Sequence, residues 1–288
     1  PDSPGVYFFL NSQKEILYIG KATSIRDRVR SYFASDILET RGPLIVQMLE
    51  DARSIDFRVT DSVLEALILE ADLIKKFQPH HNTKEKDDKS FNCVVITDED
   101  FPQVLLVRKK DLVKKLQAES YKLIASFGPY PNGTHIKEAM KIIRRIFPYR
   151  DAKCFPPVIS QIKHSNDQSE QSIRSNVLEN IRTYKPCFNR QIGLCPGVCT
   201  GEISKTDYAK IIRNLELFFS GKKKKILLNL KREMNVTAKA KNFEQAGKIK
   251  KTIFALEHIQ DVSLITRDTS FQNFGQEKFR IEAYDIAH

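Results

Sequence analysis

The chain has 288 residues, of which 41% are hydrophobic, and it carries a formal net charge of +11 with a pI near 9.3. This length exceeds that of a typical single domain, so two or three modules are expected. No stretch approaches the ~18 consecutive apolar residues of a membrane span, and no charged-then-apolar leader opens the sequence. The composition argues against a membrane protein. It predicts a cytoplasmic protein with either a polyanionic partner or a merely solvated basic surface.

Residues 1–85 have the pattern of a small α/β domain. β-rich runs bounded by polar turn residues are typical of strands, and three of them cover residues 6–10, 15–19 and 55–59. A first helix is predicted from Ser24, where Asp27 follows three residues later as in a capping box. A second helix is predicted over residues 62–77. The predicted order is therefore β-β-α-β-α.

Changes in composition divide the rest of the chain into four segments. These are a second small α/β element (86–150), a cysteine-rich region (151–203), a charged helical region (204–262) and a terminal segment (263–288). The cysteine-rich region contains a polar insert at residues 161–180. Within the α/β element we predict strands at residues 92–97 and 104–108, a loop at 127–131 and a helix that ends near Phe147. The polar insert predicts a flexible loop, and residues 279–286 predict a strand.

Glu70 is the carboxylate that the helical pattern singles out. At 100° per residue, Val63, Leu67, Glu70 and Ile74 share one face of the predicted helix, whereas Glu65 and Asp72 point away from it. A carboxylate on an apolar face is costly to bury without a cation, so Glu70 is expected to meet a metal ion or an internal Arg such as Arg28.

Other polar side chains near the first strands could act on a phosphate. Arg28 and Tyr32 are four residues apart and could present a guanidinium and a phenol together, or they could simply cover a helix surface. Tyr7 and Tyr18 lie on strands, where packing alone also explains a tyrosine. Lys21 is a candidate cation beside them. Asn82 follows Pro79 and could orient a phosphate or cap a loop.

Together these residues resemble the GIY-YIG nuclease family. The motif residues are Gly5-Val6-Tyr7, Tyr18-Ile19-Gly20-Lys21, Arg28, Tyr32, Glu70 and Asn82. Val6 stands where the first triplet of the family has isoleucine, which leaves the tyrosine in place. Residues 86–90 and 127–130 further resemble the UvrC family of excinucleases, and this resemblance covers essentially the whole chain.

The resemblance implies an α+β fold in which a small three-stranded antiparallel sheet is flanked by helices. It implies that Glu70 holds one divalent metal ion, Mg²⁺ or Mn²⁺, and that Arg28 and Lys21 hold the phosphate. It also implies that Tyr7, Tyr18 and Tyr32 order or activate the attacking water, and it does not say which tyrosine is the base.

Four of the five cysteines lie close together in the sequence, at positions 154, 187, 195 and 199. Disulfides are rare in cytoplasmic proteins, so such a group indicates a metal or a cluster, with unrelated buried thiols as the alternative. Cys93 stands apart in a predicted strand. The pattern resembles the four-cysteine region of the UvrC family, which implies a [4Fe–4S] cluster on Cys154, Cys187, Cys195 and Cys199, with zinc as the competing occupant.

The segment at about residues 226–261 predicts two short helical arms interrupted near Lys241 and Asn242. An ordinary hairpin that closes its own core is one interpretation. The string at residues 242–246 resembles the UVR motif, a helical hairpin through which members of the family dock on the protein UvrB. The resemblance implies a partner-binding role for Phe243, Glu244 and Ala246, with Phe243 as the anchor.

The end of the chain resembles the first strand of an RNase H-like domain. Asp285 matches the first metal-binding aspartate of that second nuclease site, whose other residues are absent from the sequence, so the site is incomplete here. For the whole chain, the resemblance implies metal-dependent hydrolysis of a phosphodiester on the 3′ side of a lesion in double-stranded DNA. The setting is nucleotide excision repair, after UvrB has been loaded on the damage.

Two rival functions are open. A stand-alone GIY-YIG endonuclease of the mobile-element type would need neither the Phe243 hairpin nor the Asp285 strand. A non-catalytic DNA-binding adaptor would use the basic surface and the cysteines alone. The complete set of Tyr7, Tyr18, Arg28 and Glu70 argues against the adaptor.

Overall fold

The computed structural model describes residues 1–83, 91–117, 122–150, 152, 154 and 186–259. The string at 86–90, the polar insert at 161–180 and the predicted terminal strand with Asp285 lie outside these residues. Within them, no helix combines the length and the apolar character needed to cross a membrane.

The first module is built on a three-stranded antiparallel sheet in the order β2-β1-β3. Its strands are β1 (Gly5–Leu10), β2 (Ile16–Ala22) and β3 (Ser54–Val59). Tyr7 lies opposite Gly20 on β2 and Phe57 on β3. Because side chains alternate along a strand, Tyr7 and Phe9 point to one face of the sheet and Val6 and Phe8 to the other. The predicted small antiparallel sheet flanked by helices is confirmed.

Six helical segments surround this sheet. They are α1 (Ile25–Arg30), a 3₁₀ turn (Ser31–Phe33), α2 (Ile37–Arg41), α3 (Pro43–Asp51), α4 (Val63–Phe77) and α5 (His80–Thr83). Ser24 accepts a hydrogen bond from the Asp27 N–H, as the predicted capping box requires. The chain tightens into the 3₁₀ turn after Arg30, which leaves Phe33 67% exposed.

The two faces of the first sheet carry different layers. Helix α4 covers one face, where Ala66 and Leu73 pack on Val6, Phe8 and Ile19. The opposite face carries an aromatic cluster together with α1 to α3, and its buried residues are Tyr7, Phe9, Ala22, Ile25, Tyr32, Ile45 and Met48. The candidate tyrosines therefore lie in the second layer.

The second module contains another three-stranded antiparallel sheet, in the order β5-β4-β6. Its elements are β4 (Asn92–Thr97), β5 (Val104–Arg108), α6 (Lys109–Gln117), β6 (Leu123–Tyr130) and α7 (Gly133–Ile146). The loop predicted at 127–131 is wrong for 127–130, which complete β6. Gly128 adopts φ +100°, a conformation that glycine accepts without strain, so the strand continues through it. The helix does end at Phe147, as predicted.

The last part of the described chain is helical. It contains α8 (Phe188–Gln191), α9 (Lys205–Phe219), α10 (Lys223–Lys239) and α11 (Phe243–Glu257). The predicted break between the two arms lies between α10 and α11, where Lys241 has φ +60°. One hydrophobic core runs from α4 through the second sheet and α7 to these helices, and it includes Leu64, Ile136, Leu215, Ile226 and Leu256. The α10–α11 hairpin is thus packed against the rest of the protein.

Candidate active site

Three tyrosines meet on the face of the first sheet that carries the aromatic cluster. Tyr7 and Tyr32 are buried, and their hydroxyls share a hydrogen bond of 2.8 Å. The ring of Tyr18 lies 6.3 Å from that of Tyr7 and 6.2 Å from that of Tyr32, centroid to centroid. The structure therefore brings together all three phenols that the sequence singled out, from β1, β2 and the 3₁₀ turn.

Two arginines adjoin this group. Arg28 on α1 is half-buried, and its guanidinium interacts with the hydroxyl of Tyr7. Within the described part of the chain, the buried Nε of Arg28 has no hydrogen-bond partner. Arg41 lies 4.0 Å above the Tyr32 ring and donates to the Ser31 hydroxyl at 2.7 Å. The sequence did not point to Arg41, because it belongs to the short helix α2, which was not predicted.

Burial raises the pKa of each of the three phenols well above its ordinary value, and the interaction of the tyrosines with one another adds to the rise. Arg28 and Arg41 counteract this effect only in part. The tyrosines are therefore protonated at neutral pH and act here as hydrogen-bond donors and acceptors.

Gly20 is the residue that lets Tyr7 lie across the sheet. A Cβ atom at position 20 would stand 2.2 Å from the Tyr7 hydroxyl and 3.0 Å from the Tyr18 ring. No side chain fits there, because both phenols are enclosed by the aromatic cluster. A glycine is thus required at position 20, because the Tyr7 phenol lies so close to its backbone.

We expect Gly20→Ala to lower the free energy of unfolding by about 1–3 kcal/mol, the usual cost of forcing an extra group into a packed site. The change would displace the Tyr7 phenol and break its bond to Tyr32. Denaturant unfolding measures the loss. Gly247→Ala is the matched control, because among the described residues nothing beyond its chain neighbours and its own helix backbone lies within 4 Å of the added Cβ, and α11 gains a better helix former. Equal stability of the two variants would contradict the expectation.

Glu70 lies on α4 beside the end of β2. Its side chain is half-buried, and its Oε1 accepts a hydrogen bond of 2.9 Å from the backbone N–H of Lys21. Glu70 also acts electrostatically on Tyr18, so the carboxylate and the tyrosine group are neighbours. The sequence predicted that Glu70 faces inward, but not that a backbone N–H would hold one of its oxygens.

Asn82 holds strand β2. Its Oδ1 accepts from the Ile19 N–H and its Nδ2 donates to the Ile19 carbonyl, both at 2.8 Å. The side-chain amide thus pairs with the backbone between Tyr18 and Gly20. The sequence led us to expect that Asn82 orients a phosphate or caps a loop. It did not predict this contact, because the partner is the backbone of Ile19, 63 residues earlier in the chain.

The four clustered cysteines come together in the second half of the chain. Cys195 and Cys199 are buried, Cys154 is half-buried and Cys187 is exposed, and all four are free thiols. The Cys154 and Cys199 thiols share a hydrogen bond, and Cys199 interacts with Cys187 and Cys195. Burial, together with the neighbouring Cys199 and Cys195 thiols, raises the pKa of Cys154 to about 12. Cys93 lies apart on β4, as expected.

Four cysteine thiols are suitable ligands for a thiolate metal centre, but their sulfur atoms are not placed as the ligands of one metal ion would be. Among the described residues, no group of three or more His, Cys, Asp or Glu side chains is arranged to hold a metal ion. The cluster and the zinc alternative therefore stay predictions.

The α10–α11 hairpin presents Phe243 at the start of α11, where its side chain is 70% exposed. Phe254, near the end of the same helix, is 63% exposed. Glu244 pairs with Lys248 at the surface, and Ala246 is half-buried. The residues expected to bind a partner are thus accessible.

Residues 3–83 match the family model of the UvrC-like GIY-YIG domain. Residues 91–218 match that of the UvrC/Cho excinuclease middle domain. The UvrABC system protein C of Clostridium kluyveri is 38% identical over 283 residues, which are 96% of this chain and 40% of that protein. The protein of the same name from Carboxydothermus hydrogenoformans is 36% identical over 93% of this chain and 38% of its own length. The chain thus spans about 40% of the length of these curated relatives.

Among solved structures, the chain is similar to the magnesium-bound GIY-YIG N-terminal endonuclease domain of UvrC from Thermotoga maritima. The two are 37% identical, with 29% of this chain and 86% of that one covered and a TM-score of 0.26. Two adjoining UvrC family models and relatives that align along nearly the whole chain lead to one conclusion: this chain belongs to the UvrC family.

Proposed function

We propose that this chain carries the nuclease that makes the 3′ incision at damaged DNA in nucleotide excision repair. The reaction is metal-dependent hydrolysis of a phosphodiester, and it takes place in the cytoplasm after docking on UvrB. One observation carries the proposal. A half-buried guanidinium with an unpartnered Nε, three clustered phenols and a half-buried carboxylate converge at one end of a small sheet in the described part of the chain.

The side chains have distinct tasks in this proposal. Arg28 holds a non-bridging oxygen of the scissile phosphate through its guanidinium and stabilises the charge that develops there. Tyr7, Tyr18 and Tyr32 together order the attacking water, and their mutual hydrogen bond and packing fix the phenols before substrate arrives. Lys21 adds positive charge beside the phosphate, and Asn82 fixes the strand that carries Tyr18.

Glu70 is the residue that we assign to a divalent cation, Mg²⁺ or Mn²⁺. A single carboxylate completed by water and phosphate oxygens is a common way of holding Mg²⁺, and one Glu70 oxygen is already fixed by the Lys21 N–H. When bound, such an ion neutralises the phosphate and makes water a better nucleophile.

The test is nicking of a duplex that bears one defined lesion, in the presence of UvrB and Mg²⁺. We expect a single cut on the 3′ side of the lesion, mapped at nucleotide resolution, and no cut when a chelator removes the metal. Cutting that needs neither UvrB nor a lesion would favour the stand-alone endonuclease instead. The 5′ cut is expected to need the domain to which Asp285 would contribute.

We further propose that the α10–α11 hairpin is the UVR element that docks on UvrB. Phe243→Ala is expected to weaken capture of UvrB at least ~10-fold, because an exposed aromatic anchor typically contributes more than 1–2 kcal/mol to an interface. Pull-down with purified UvrB measures the loss. Phe188→Ala is the matched control, since this phenylalanine is 71% exposed and lies outside the hairpin. Undiminished capture by the Phe243 variant would contradict the docking role.

The four cysteines are proposed to hold a [4Fe–4S] cluster, with zinc as the alternative occupant. Support comes from four free thiols that interact with one another although Cys154 precedes the other three by more than 30 residues. Anaerobically purified protein is expected to show broad visible absorption that disappears in Cys199→Ser. Cys93→Ser is the control, because Cys93 lies in β4, away from the group. A colourless protein with one bound zinc would assign the site to zinc.

A further inference from the structure

The positive charge of the chain is unevenly distributed. Residues 1–83, which contain the candidate nuclease site, have 10 Lys and Arg against 12 Asp and Glu. Residues 204–259 have 14 Lys and Arg against five Asp and Glu. Affinity for a nucleic-acid backbone arises mainly from cations that displace counterions from phosphates. The nuclease module is therefore poorly equipped to hold DNA by charge, whereas the helical region is well equipped.

Helix α10 concentrates these cations on one side. Its exposed cations are Lys224, Lys225, Lys231, Arg232 and Lys239, which we call the α10 basic face. At 100° per residue they fall within a sector of about 120° and extend along about 22 Å of helix. Lys223, Ile226 and Leu230 form the buried side opposite. The one acid of the helix, Glu233, lies outside the sector.

Most cations of this face are uncompensated. In the described ranges, no carboxylate forms an ion pair with Lys224, Lys225, Arg232 or Lys239, whereas Lys231 pairs with Glu257 at 2.9 Å. A solvated helix surface normally intersperses both signs of charge. The four unpaired cations along this side of the helix create a positive potential, and a polyanion could compensate it along its whole length.

One end of the α10 basic face is fixed beside the nuclease module. The buried Lys223 Nζ lies 2.8 Å from Glu65 Oε1 and 3.1 Å from Asp61 Oδ2, at the start of α4. Glu70 lies five residues beyond Glu65 on the same helix, about 7.5 Å along its axis. A duplex on the basic face would thus start near the helix that carries the candidate metal ligand.

We propose that the α10 basic face binds the phosphate backbone of the duplex that the nuclease site cuts. That this duplex is the substrate rests on the proposed function, but the binding itself does not depend on cutting. A protein partner fits this face less well, because its exposed apolar residues are only Leu228 and Val236 among cations, whereas α11 presents Phe243 and Phe254. DNA and the partner would then use different helices of the hairpin.

The test removes the four unpaired charges from the full chain by Lys224→Gln, Lys225→Gln, Arg232→Gln and Lys239→Gln. Fluorescence anisotropy with a labelled undamaged duplex, repeated over a salt series, gives the slope of log K against log salt. Each lost phosphate contact lowers this slope by about 0.9, so a fall of about 3 to 4 is expected, with affinity at low salt reduced at least ~10-fold. Lys224→Arg with Lys225→Arg and Lys239→Arg should keep the wild-type slope.

The matched control removes four charges from the second module by Lys110→Gln, Lys114→Gln, Lys122→Gln and Lys137→Gln, all at exposed positions. Its slope should stay within about one of wild type. Equal losses in both quadruple variants, or an unchanged slope in the α10 variant, would overturn the proposal. So would normal DNA binding combined with lost capture of UvrB, which would assign the face to a protein. The salt series measures binding alone, so its result does not depend on whether the chain cuts the duplex.

Discussion

Glu70→Gln is expected to reduce nicking of lesion-bearing duplex at least ~10²-fold while the protein stays folded, a loss comparable with removal of one key electrostatic group from an active site. Glutamine keeps the shape of the side chain and an oxygen that can still accept from the Lys21 N–H. It lacks the negative charge that a divalent cation requires. Nicking assays with UvrB and Mg²⁺ measure the effect, and Glu70→Ala should abolish nicking as well.

Asp72→Asn is the control for this experiment. Asp72 lies two residues further on α4, is exposed, and points away from the sheet, so the same loss of charge should leave nicking unchanged. Unfolding curves of both variants should overlay that of the wild type. Nicking that survives in folded Glu70→Gln protein would remove Glu70 from the catalytic assignment.

Arg150→Met is expected to have the largest effect on stability, about 3 kcal/mol. Arg150 is 1% exposed, its Nε donates to the Phe101 carbonyl at 2.6 Å, and its Nη1 donates to the Cys154 carbonyl at 2.7 Å. Its Nη2 lies 2.5 Å from Glu99 Oε2 in an ionic rather than a hydrogen-bonded geometry. Each of these partly buried acceptors costs about 1–3 kcal/mol when it is left without its donor. Glu99 is partly solvated, so its share is small.

Chemical denaturation of Arg150→Met measures this loss, and Arg145→Met is the matched control because Arg145 is exposed on α7. The control should change the free energy of unfolding by less than about 0.5 kcal/mol. A similarly small change for Arg150→Met would show that the buried guanidinium is dispensable. Because Arg150 holds the backbone at Cys154, the variant should also weaken the cysteine group, visible as lower cluster absorption in the proposed holoprotein.

Local signals in the sequence were sufficient for the elements that position the nuclease residues. Alternating apolar residues predicted β1, β2 and β3, and Ser24 with its acidic partner Asp27 predicted where α1 begins. These elements obey periodicity and capping, which are properties of neighbouring residues. The inward position of Glu70 followed from the same helical spacing.

Elements whose signals are weak or misleading were missed. Helices α2 and α3 are short and separated only by Gly42, so neither offers enough turns for a periodic pattern. Strand β6 was taken for a loop at 127–130 because Gly128 and Pro129 are typical of turns. There the pairing with β4 outweighs local preference.

The contacts that complete the site were also beyond the sequence. The Lys21 N–H on Glu70, the Arg41 guanidinium above Tyr32 and the Ile19 backbone on Asn82 all join residues from different elements of the fold. Two of these three contacts use main-chain atoms. Every residue has these atoms, so the residue type gives no indication of such contacts.

The amide of Asn82 has one more consequence, for the solubility of the fold. Strand β2 is one of the two outer strands of the first sheet, and an outer strand exposes backbone groups on which a foreign strand can add. The side chain of Asn82 satisfies both backbone groups of Ile19, as one residue of a neighbouring strand would. The border of the sheet next to Tyr18 and Gly20 is thereby closed to strand addition by another protein molecule. The contact that holds residues 18–20 in place therefore also protects this edge against aggregation.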